Sequence, residues 1–447
     1  MQTKKDQWST KLGFILSSAG AAIGLGAIWK FPYMTGMNGG GAFFLLFIAF
    51  TIIIGLPILI AEFIIGRGAE KEAVSAYKKL APKSLWSIIG KWGVAGAFLL
   101  MSFYSVVGGW VLTYSGLSIP GMIIRDGANY PELFASITGN PMITILAHGL
   151  FILINVIVIS YGIKDGIEKS SKILMPLLFV FFIILVIRAV TFEGAMEGIQ
   201  FFLQPDFSKL NAENVLYALG QSFFSLAVGI SVMVTYSSYL KKDVSLPMSA
   251  GSVSIMNIFV SLLAGLAIFP VVFAFGLEPA EGPGLLFIVL PEAFAQMPFG
   301  EIFLSLFLLL FLFAVLTSSF SMLEIITSAF TEKKERSRKK VAAIAGVVVF
   351  IAGIPAALSS SNLADFKIFG LTIFDATDFL VSNIMLPGGC LLIALFIGFK
   401  MDKTLIRQEF FYGNRLSPGI YQVWFQLMRW IVPITIIIVF LGSLGIL

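Results

Sequence analysis

The chain has almost none of the side chains that soluble enzymes use for chemistry. Its 447 residues include one cysteine, Cys390, and one histidine, His148. A lone cysteine excludes an intrachain disulfide framework and a cysteine-based metal site. The lone histidine stands at the start of an apolar run, where it reads as a packed or interfacial side chain rather than a proton relay. No histidine–carboxylate metal cluster and no serine–histidine–aspartate set can be assembled, so an enzyme is not expected. Charge is scarce as well: 12% of residues are charged, where a soluble domain carries about 25%. Met1 to Lys11 is polar and lacks the pattern of a signal peptide. The net charge is only +5 and is spread along the chain, and no nucleic-acid partner is expected.

What is present instead is apolar. Hydrophobic residues make up 58% of the chain and the mean hydropathy is +0.94. The long segments do not alternate polar and apolar residues as the strands of a membrane barrel would. The composition predicts an all-α polytopic membrane protein whose first partner is the lipid bilayer. Eleven spans can be read: Leu12–Met37, Ala42–Gly66, 92–117, 143–161, 173–190, Leu216–Leu240, 248–276, Glu301–Phe330, 341–358, 373–399 and Tyr421–Leu447. Each has the length a bilayer requires. Residues 71–83 read as an interfacial helix, 164–172 as a loop, and 278–300 as a proline- and glycine-rich loop.

Charge orients the chain. With the N-terminus in the cytoplasm, 25 of the 30 Lys and Arg fall on the cytoplasmic side. The five others are Lys30, Arg125, Arg188, Lys209 and Lys367. An odd number of spans then leaves the C-terminus outside.

The first span holds the stretch around which the rest is organised, Ser17 to Pro32. Gly20, Gly24 and Gly26 lie in its middle, where glycine disfavours helix by about 1 kcal/mol each relative to alanine. Broken helix is tolerated in hydrocarbon where it lines a cavity. A break at 22–26 would leave carbonyls free on one side, which suit a small cation. On the other side it would leave N–H groups at a positive dipole end, which suit a carboxylate. The same glycines would also serve a continuous span that packs closely on a neighbour. The sixth span, Gly220 to Ser231, repeats the mid-span glycine and small hydroxyls. Spans one and six head two groups of five, the signature of an inverted-repeat transporter with its site at the midplane. In the eighth span, Ala314-Val315-Leu316-Thr317-Ser318-Ser319 offers hydroxyl oxygens to a sodium-sized ion, or bonds back to its own helix.

These residues resemble the neurotransmitter:sodium symporter family, in its bacterial amino-acid branch, over nearly the whole chain. The most specific signature runs from Gly24-Leu25-Gly26 through Trp29-Lys30-Phe31-Pro32 to Asn38-Gly39-Gly40-Gly41-Ala42-Phe43. Glu62 with Gly66-Arg67, Gly166 ten residues before Pro176, Gln221 to Ser225, and Leu316 to Ser319 support it. The resemblance implies a five-plus-five inverted-repeat fold with broken helices 1 and 6 and an eleventh helix. It divides one transporter domain, 1–447, into repeats at 1–190 and 191–399 and an added helix at 400–447. It implies sodium-coupled uptake of neutral hydrophobic L-amino acids across a bacterial inner membrane. A proton-coupled or exchange-type carrier of the same fold, or a non-transporting sensor, are the rivals.

Position by position, the resemblance implies one sodium site made by the carbonyls of Gly20, Ile23 and Ala314 with the hydroxyls of Thr317 and Ser318. Another would use the carbonyl of Ala22, Ser225, Asn257 and the substrate carboxylate. Ala27 stands where the family usually has an asparagine, so one or two ions are carried. The substrate amine would meet the carbonyls of Ala22, Phe224, Ser225 and Ala227. Its carboxylate would meet the N–H groups of Leu25 and Gly26 and the hydroxyl of Tyr104. Its side chain would lie against Gly24, Leu100, Tyr104, Phe224, Ala227, Ile230, Ser318 and Met322. Tyr104 and Phe224 would close above it, with Lys30 paired to Asp365. On the cytoplasmic side Lys5 would pair with Glu332, Trp8 would plug the exit, and Tyr239 and Glu324 would join. Gly166 and Pro176 mark where the fifth span could unwind. Ser261 and Gln221 stand at chloride-site positions, but Phe47 replaces the usual tyrosine, so chloride dependence is not expected; buried Glu62 could supply the negative charge instead. Asp375 and Asp378 carry no assigned role, and the oligomeric state is not legible.

Overall fold

A computed structural model of the chain describes residues 6–125, 127–277, 282, 284–334 and 337–443. Among them it is helical throughout, with two isolated β-bridges and no strand. Among the described residues, nine helices are long and apolar enough to cross a bilayer: Gly41–Ala69, Ser87–Ser118, Pro141–Ser160, Ile163–Ala189, Leu246–Ala274, Gly300–Thr331, Arg338–Ala357, Ile373–Lys400 and Pro418–Gly442. The first span is a bent pair, Lys11–Ala22 and Gly26–Met37, at 52° to one another. The sixth is also interrupted, as Ala212–Leu226 and Val232–Ser237. With these two, the eleven elements expected from hydropathy are in place.

Burial separates centre from rim. The third span is 78% buried along its most apolar stretch, against 28% for the fifth and the eleventh. The third span is therefore the spine of the bundle. Leu146, Leu150, Leu153 and Ile157 on the fourth span, and Ile173, Val180, Ile184 and Ile187 on the fifth, point outward as a lipid-facing surface would.

One local rule recurs. Four spans and the short helix Leu285–Ala295 contain a widened π turn that ends two residues before a proline: Gly26–Lys30 before Pro32, Thr51–Gly55 before Pro57, Leu285–Val289 before Pro291, Leu380–Met385 before Pro387, and Leu427–Ile431 before Pro433. In each, the residue ahead of the proline donates to the carbonyl five positions back. Proline has no N–H and its ring crowds the carbonyl four back, and the wider turn relieves both problems.

Residues 164–172, expected as a loop, are helical. A π turn at Ile163–Glu168 leads directly into Lys169–Ala189. The basic residues there misled the reading, because they sit on a helix end rather than in a turn. The apolar stretch inside the loop at 278–300 forms Leu285–Ala295. The interfacial helix is Ala73–Leu80, capped by Glu72.

The break in the sixth span is held by a carboxylate. Ala227 and Ser231 adopt φ of 51° and 57°, with Gly229 at 93° between them. Side chains at such φ cost of order 1–3 kcal/mol each. Glu62, fully buried, accepts the N–H groups of Gly229 at 2.7 Å, Met233 at 3.1 Å and Val234 at 3.3 Å. The last two are orphan donors at the start of Val232–Ser237, the first lies in the break itself, and a carboxylate there also meets the positive end of the helix dipole. Gly389 of the tenth span packs directly on the Gly229 carbonyl, an approach that any Cβ would block. The charge of Glu62 is thus used locally to hold broken backbone.

Candidate functional site

At the break in the first span the backbone leaves the helical pattern at Ile23, with ψ of 86°. The Gly24 amide donates to the Ala22 carbonyl at 3.1 Å, and the Leu25 amide to the Tyr104 hydroxyl at 3.3 Å. Both have turned away from the carbonyls of Gly20 and Ala21 that a continuous helix would have given them. The eighth span packs against this point. A Cβ at Gly20 would come within 2.9 Å of the Thr317 Cβ, and Ser318 Oγ donates to the Ala21 carbonyl at 3.0 Å. Thr317 Oγ1 bonds back to Phe313 at 3.0 Å and Ala314 at 3.1 Å. The structure thus brings Gly20 and Ala21 of the first span beside Thr317 and Ser318 of the eighth, with Ala314 one turn earlier on that helix.

The second group converges beside it. Ser225 Oγ donates to the Asn257 side-chain oxygen at 2.7 Å, and the Asn257 amide donates to the Ser225 carbonyl at 2.8 Å. Gln221 donates to the Gly26 carbonyl at 2.7 Å, joining the sixth span to the first just past the break. Ala27 is fully buried and presents only a methyl group.

Between the two breaks lies a small, nearly closed cavity, with about 20 Å³ of room for the centre of a water-sized sphere, enough for about one water molecule. Ala22, Gly24, Leu25, Gly26, Leu100, Tyr104, Phe224, Ala227, Ile230, Ser318 and Met322 line it. Two residues that sequence reasoning missed, Ala21 and Leu386, line it too. Leu386 follows the π turn of the tenth span and precedes Pro387. The proline was the available signal, since a wide turn re-aims the side chain after it. Among the described residues, no charged side chain reaches the cavity wall. The Leu25 N–H and Tyr104 hydroxyl form its polar edge, bonded to one another.

Comparison with known proteins identifies this arrangement. Residues 5–123 and 135–445 match the profile of the sodium:neurotransmitter symporter family. The chain belongs to that family. An uncharacterized sodium-dependent transporter of Bacillus subtilis, YhdH, is 52% identical over 447 residues, spanning 100% of this chain and 99% of that one. An uncharacterized sodium-dependent transporter of Haemophilus influenzae is 39% identical over 99% of this chain and 98% of its own. The crystal structure of MhsT in complex with L-phenylalanine superposes with a TM-score of 0.92 at 41% identity, covering 98% of this chain and 100% of that one. The protein is thus a sodium-dependent integral-membrane transporter of the five-plus-five inverted-repeat fold, and its family is one of secondary transporters rather than enzymes.

Above the cavity, the symporter corrects one expected pair. Lys30 does not meet Asp365, which lies exposed on the turn after Arg338–Ala357. Lys30 Nζ lies 3.8 Å from Asp378 and 3.3 Å from Ser382, both on the tenth span, and 4.6 Å over the Phe224 ring. Asp378, left without a role by sequence, is the partner because it lies one turn before Ser382 on the side facing the first span. Asp375 instead meets Thr372 at its helix start.

At the opposite end, Lys5 and the Glu332 side chain lie outside the described residues. Trp8 is 3% exposed, with its indole N–H on the Tyr236 carbonyl at 2.8 Å. Tyr239 donates to Glu324 at 2.8 Å. The cation of this cluster is Arg338, bonded to Glu324, to the Ile159 carbonyl at 2.8 Å, and near Asp6 at 3.7 Å. Sequence reasoning missed Arg338 because it reads as one more positive-inside residue in a basic loop. Glu168 was missed too. It is 1% exposed and takes the Ser9 amide at 2.7 Å, the Ser9 hydroxyl at 2.5 Å, the Thr10 hydroxyl at 3.1 Å and Lys172 at 2.6 Å. Phe47 packs among Phe31, Phe44, Phe202 and Phe269.

Proposed function

We propose that this symporter carries neutral hydrophobic L-amino acids into the cell together with sodium, exposing one central site to each side of the membrane in turn. The observation that carries the reading is the cavity at the broken spans, walled by apolar groups with no charged side chain. Discrimination there rests on shape and apolar contact. The Leu25 and Gly26 N–H groups and the Tyr104 hydroxyl would take the carboxylate. The carbonyls of Ala22, Phe224, Ser225 and Ala227 would take the amine. Gly24, Leu100, Ile230 and Met322 would receive the side chain, and flexible Met322 adapts to several shapes. The L-phenylalanine bound by MhsT supports this substrate class.

One sodium ion would sit on the carbonyls of Gly20, Ile23 and Ala314 and the hydroxyls of Thr317 and Ser318. A second would use Ala22, Ser225, Asn257 and the substrate carboxylate, weakened by Ala27. Chloride is not required, since Phe47 offers no hydroxyl. Tyr104 and Phe224 close the outer side with Lys30 and Asp378. Trp8 closes the inner side, and the fifth span unwinds between Gly166 and Pro176 to wet the inner sodium site. The N-terminus is cytoplasmic, the C-terminus external, and the membrane is a bacterial inner membrane. The repeats are 1–190 and 191–399, with 400–447 appended.

The test is uptake of labelled leucine into proteoliposomes under an inward sodium gradient. Accumulation above equilibrium that collapses when choline replaces sodium is expected, and replacing chloride with gluconate should leave it unchanged. Undiminished uptake without sodium would overturn the reading in favour of a proton-coupled or exchange carrier.

A further inference from the structure

One arginine stands within a membrane span with no polar partner. Arg429 lies in the π turn Leu427–Ile431 of the eleventh span, Pro418–Gly442. Among the described residues it makes no hydrogen bond and no ion pair, and its Nε is buried and unbonded. A charge in a span is normally paired. The arginines of the second, ninth and fifth spans follow that rule. Arg67 bonds the Glu409 carboxylate at 2.6 Å and its carbonyl at 2.8 Å, Arg338 bonds Glu324 and the Ile159 carbonyl at 2.8 Å, and Arg188 bonds the Thr191 hydroxyl at 3.1 Å.

By sequence Arg429 falls near the middle of its span, yet it packs on the end of the tenth. A Cβ on Gly398 would lie 3.1 Å from the Arg429 Cα and 3.4 Å from its Cγ. The bare glycine thus lets the arginine stem press against the last turn of Ile373–Lys400. The guanidinium carbon is 5.1 Å from the centre of the Phe399 ring and 5.3 Å from that of Trp430. Those two rings meet edge to face at 5.7 Å, and each side chain is 51% exposed. Ile431, Ile434, Ile437 and Ile438 on the same helix are exposed too, as on a surface that faces lipid. Lys400 and Lys403, both exposed, stand at this end of the tenth span. The acid between them, Asp402, is engaged by the Thr404 amide at 2.8 Å, capping Lys403–Phe411.

An arginine beside two half-exposed rings, on a lipid-facing helix and free of carboxylates, lacks only an anion. We propose that Arg429, Phe399 and Trp430 hold the phosphate of an anionic phospholipid, with Lys400 and Lys403 adding positive charge beside it. The planar guanidinium matches two oxygens of a phosphodiester. The Trp430 indole suits headgroup level, and basic pockets between membrane helices bind such headgroups. The acyl chains lie along the exposed isoleucines. A free phosphate would meet the same nitrogens but gain nothing from that apolar face. A second copy of the chain fits less well. Residues 418–442 contain no Asp or Glu, so two copies meeting on this face would bring like charges together.

The experiment places the full chain in phosphatidylcholine bilayers and adds either phosphatidylglycerol or phosphatidylcholine carrying bromine on its acyl chains, which quenches nearby indoles. Subtracting the signal of Trp430→Phe protein isolates Trp430. Half-quenching should need about fivefold less brominated phosphatidylglycerol than brominated phosphatidylcholine, the effect of one arginine near an anionic headgroup. Arg429→Gln should abolish that preference and Arg429→Lys should keep part of it. Arg407→Gln, which removes an exposed charge on Lys403–Phe411, should keep all of it. Equal quenching of wild type by the two lipids overturns the proposal, whether or not Arg429→Gln folds. So does a preference that survives in Arg429→Gln, or one that Arg407→Gln weakens as much, which would mean diffuse attraction to a basic end. Inorganic phosphate at constant ionic strength should leave the preference intact; its loss there would assign the site to a free anion and overturn the lipid. Weak quenching by both lipids together with a dimeric mass would place a second copy on this face and overturn it as well.

Discussion

Gly24 offers the sharpest test of the cavity. Its φ is not in the left-handed region, so alanine there meets no backbone strain and the substitution reports space alone. A Cβ on Gly24 would lie 2.5 Å from the Tyr104 hydroxyl and 2.6 Å from both Cβ and Oγ of Ser318. None of these is the free end of a flexible chain. Tyr104 is held by Leu25, and Ser318 by Ala21. The methyl group can only be accommodated by pushing outward into the cavity or by shifting those neighbours. Overpacking of this kind costs about 1–3 kcal/mol, which is about 5- to 150-fold in affinity. A large substrate fills the cavity and bears that cost in full. A small one leaves room for the displaced atoms and bears less than about threefold. The assay is inhibition of labelled alanine or leucine uptake by tryptophan, phenylalanine, leucine and valine in Gly24→Ala protein. Tryptophan and phenylalanine should lose potency first. Tryptophan inhibiting Gly24→Ala as well as wild type, with uptake otherwise intact, would show that the side chain lies elsewhere.

Three further outcomes follow from the same geometry. Changing Thr317 and Ser318 together to alanine removes two hydroxyl oxygens from the inner ion site. Half-maximal sodium should rise at least about tenfold, at ~1 kcal/mol per oxygen, and an unaltered sodium dependence would mean the ion sits elsewhere. The Lys30–Asp378 pair is partly exposed and 3.8 Å apart, so Asp378→Asn should change thermal stability little and alter uptake rate, whereas Asp365→Asn should change neither; equal effects of the two would undo the assignment. Glu62→Leu strands three buried N–H groups at about 1–3 kcal/mol each, so ligand binding should be lost at a much lower temperature than in Glu62→Gln, which keeps an acceptor. Equal heat resistance of Glu62→Leu and wild type would contradict the role given to that carboxylate.

The spans were legible because lipid demands long apolar runs, and their order because loop lysines and arginines orient them. The break at 22–26 was legible as one of two readings because glycine is expensive in mid-helix, while the break in the sixth span came with the family resemblance. The fifth span's start was missed, since basic residues on a helix end look the same in one dimension as basic residues in a turn. The family resemblance located eleven of the thirteen cavity residues, and the other two, Ala21 and Leu386, depend on local helix phase. Phase at Leu386 is set by a π turn that inserts one extra residue ahead of Pro387, which simple helical periodicity does not count.

Sequence by itself determined that the chain is a bundle of membrane helices, because that follows from solvation of each segment separately; the interruption of two of them came with the family resemblance, since the glycines alone also fit a continuous span. Only the tertiary structure decided which charges face each other. Lys30 has Asp378 rather than Asp365, Glu324 has Arg338, and Glu168 has Ser9 and Thr10. Partners so far apart in the chain are chosen by how helices rotate and pack, and no local pattern records that rotation.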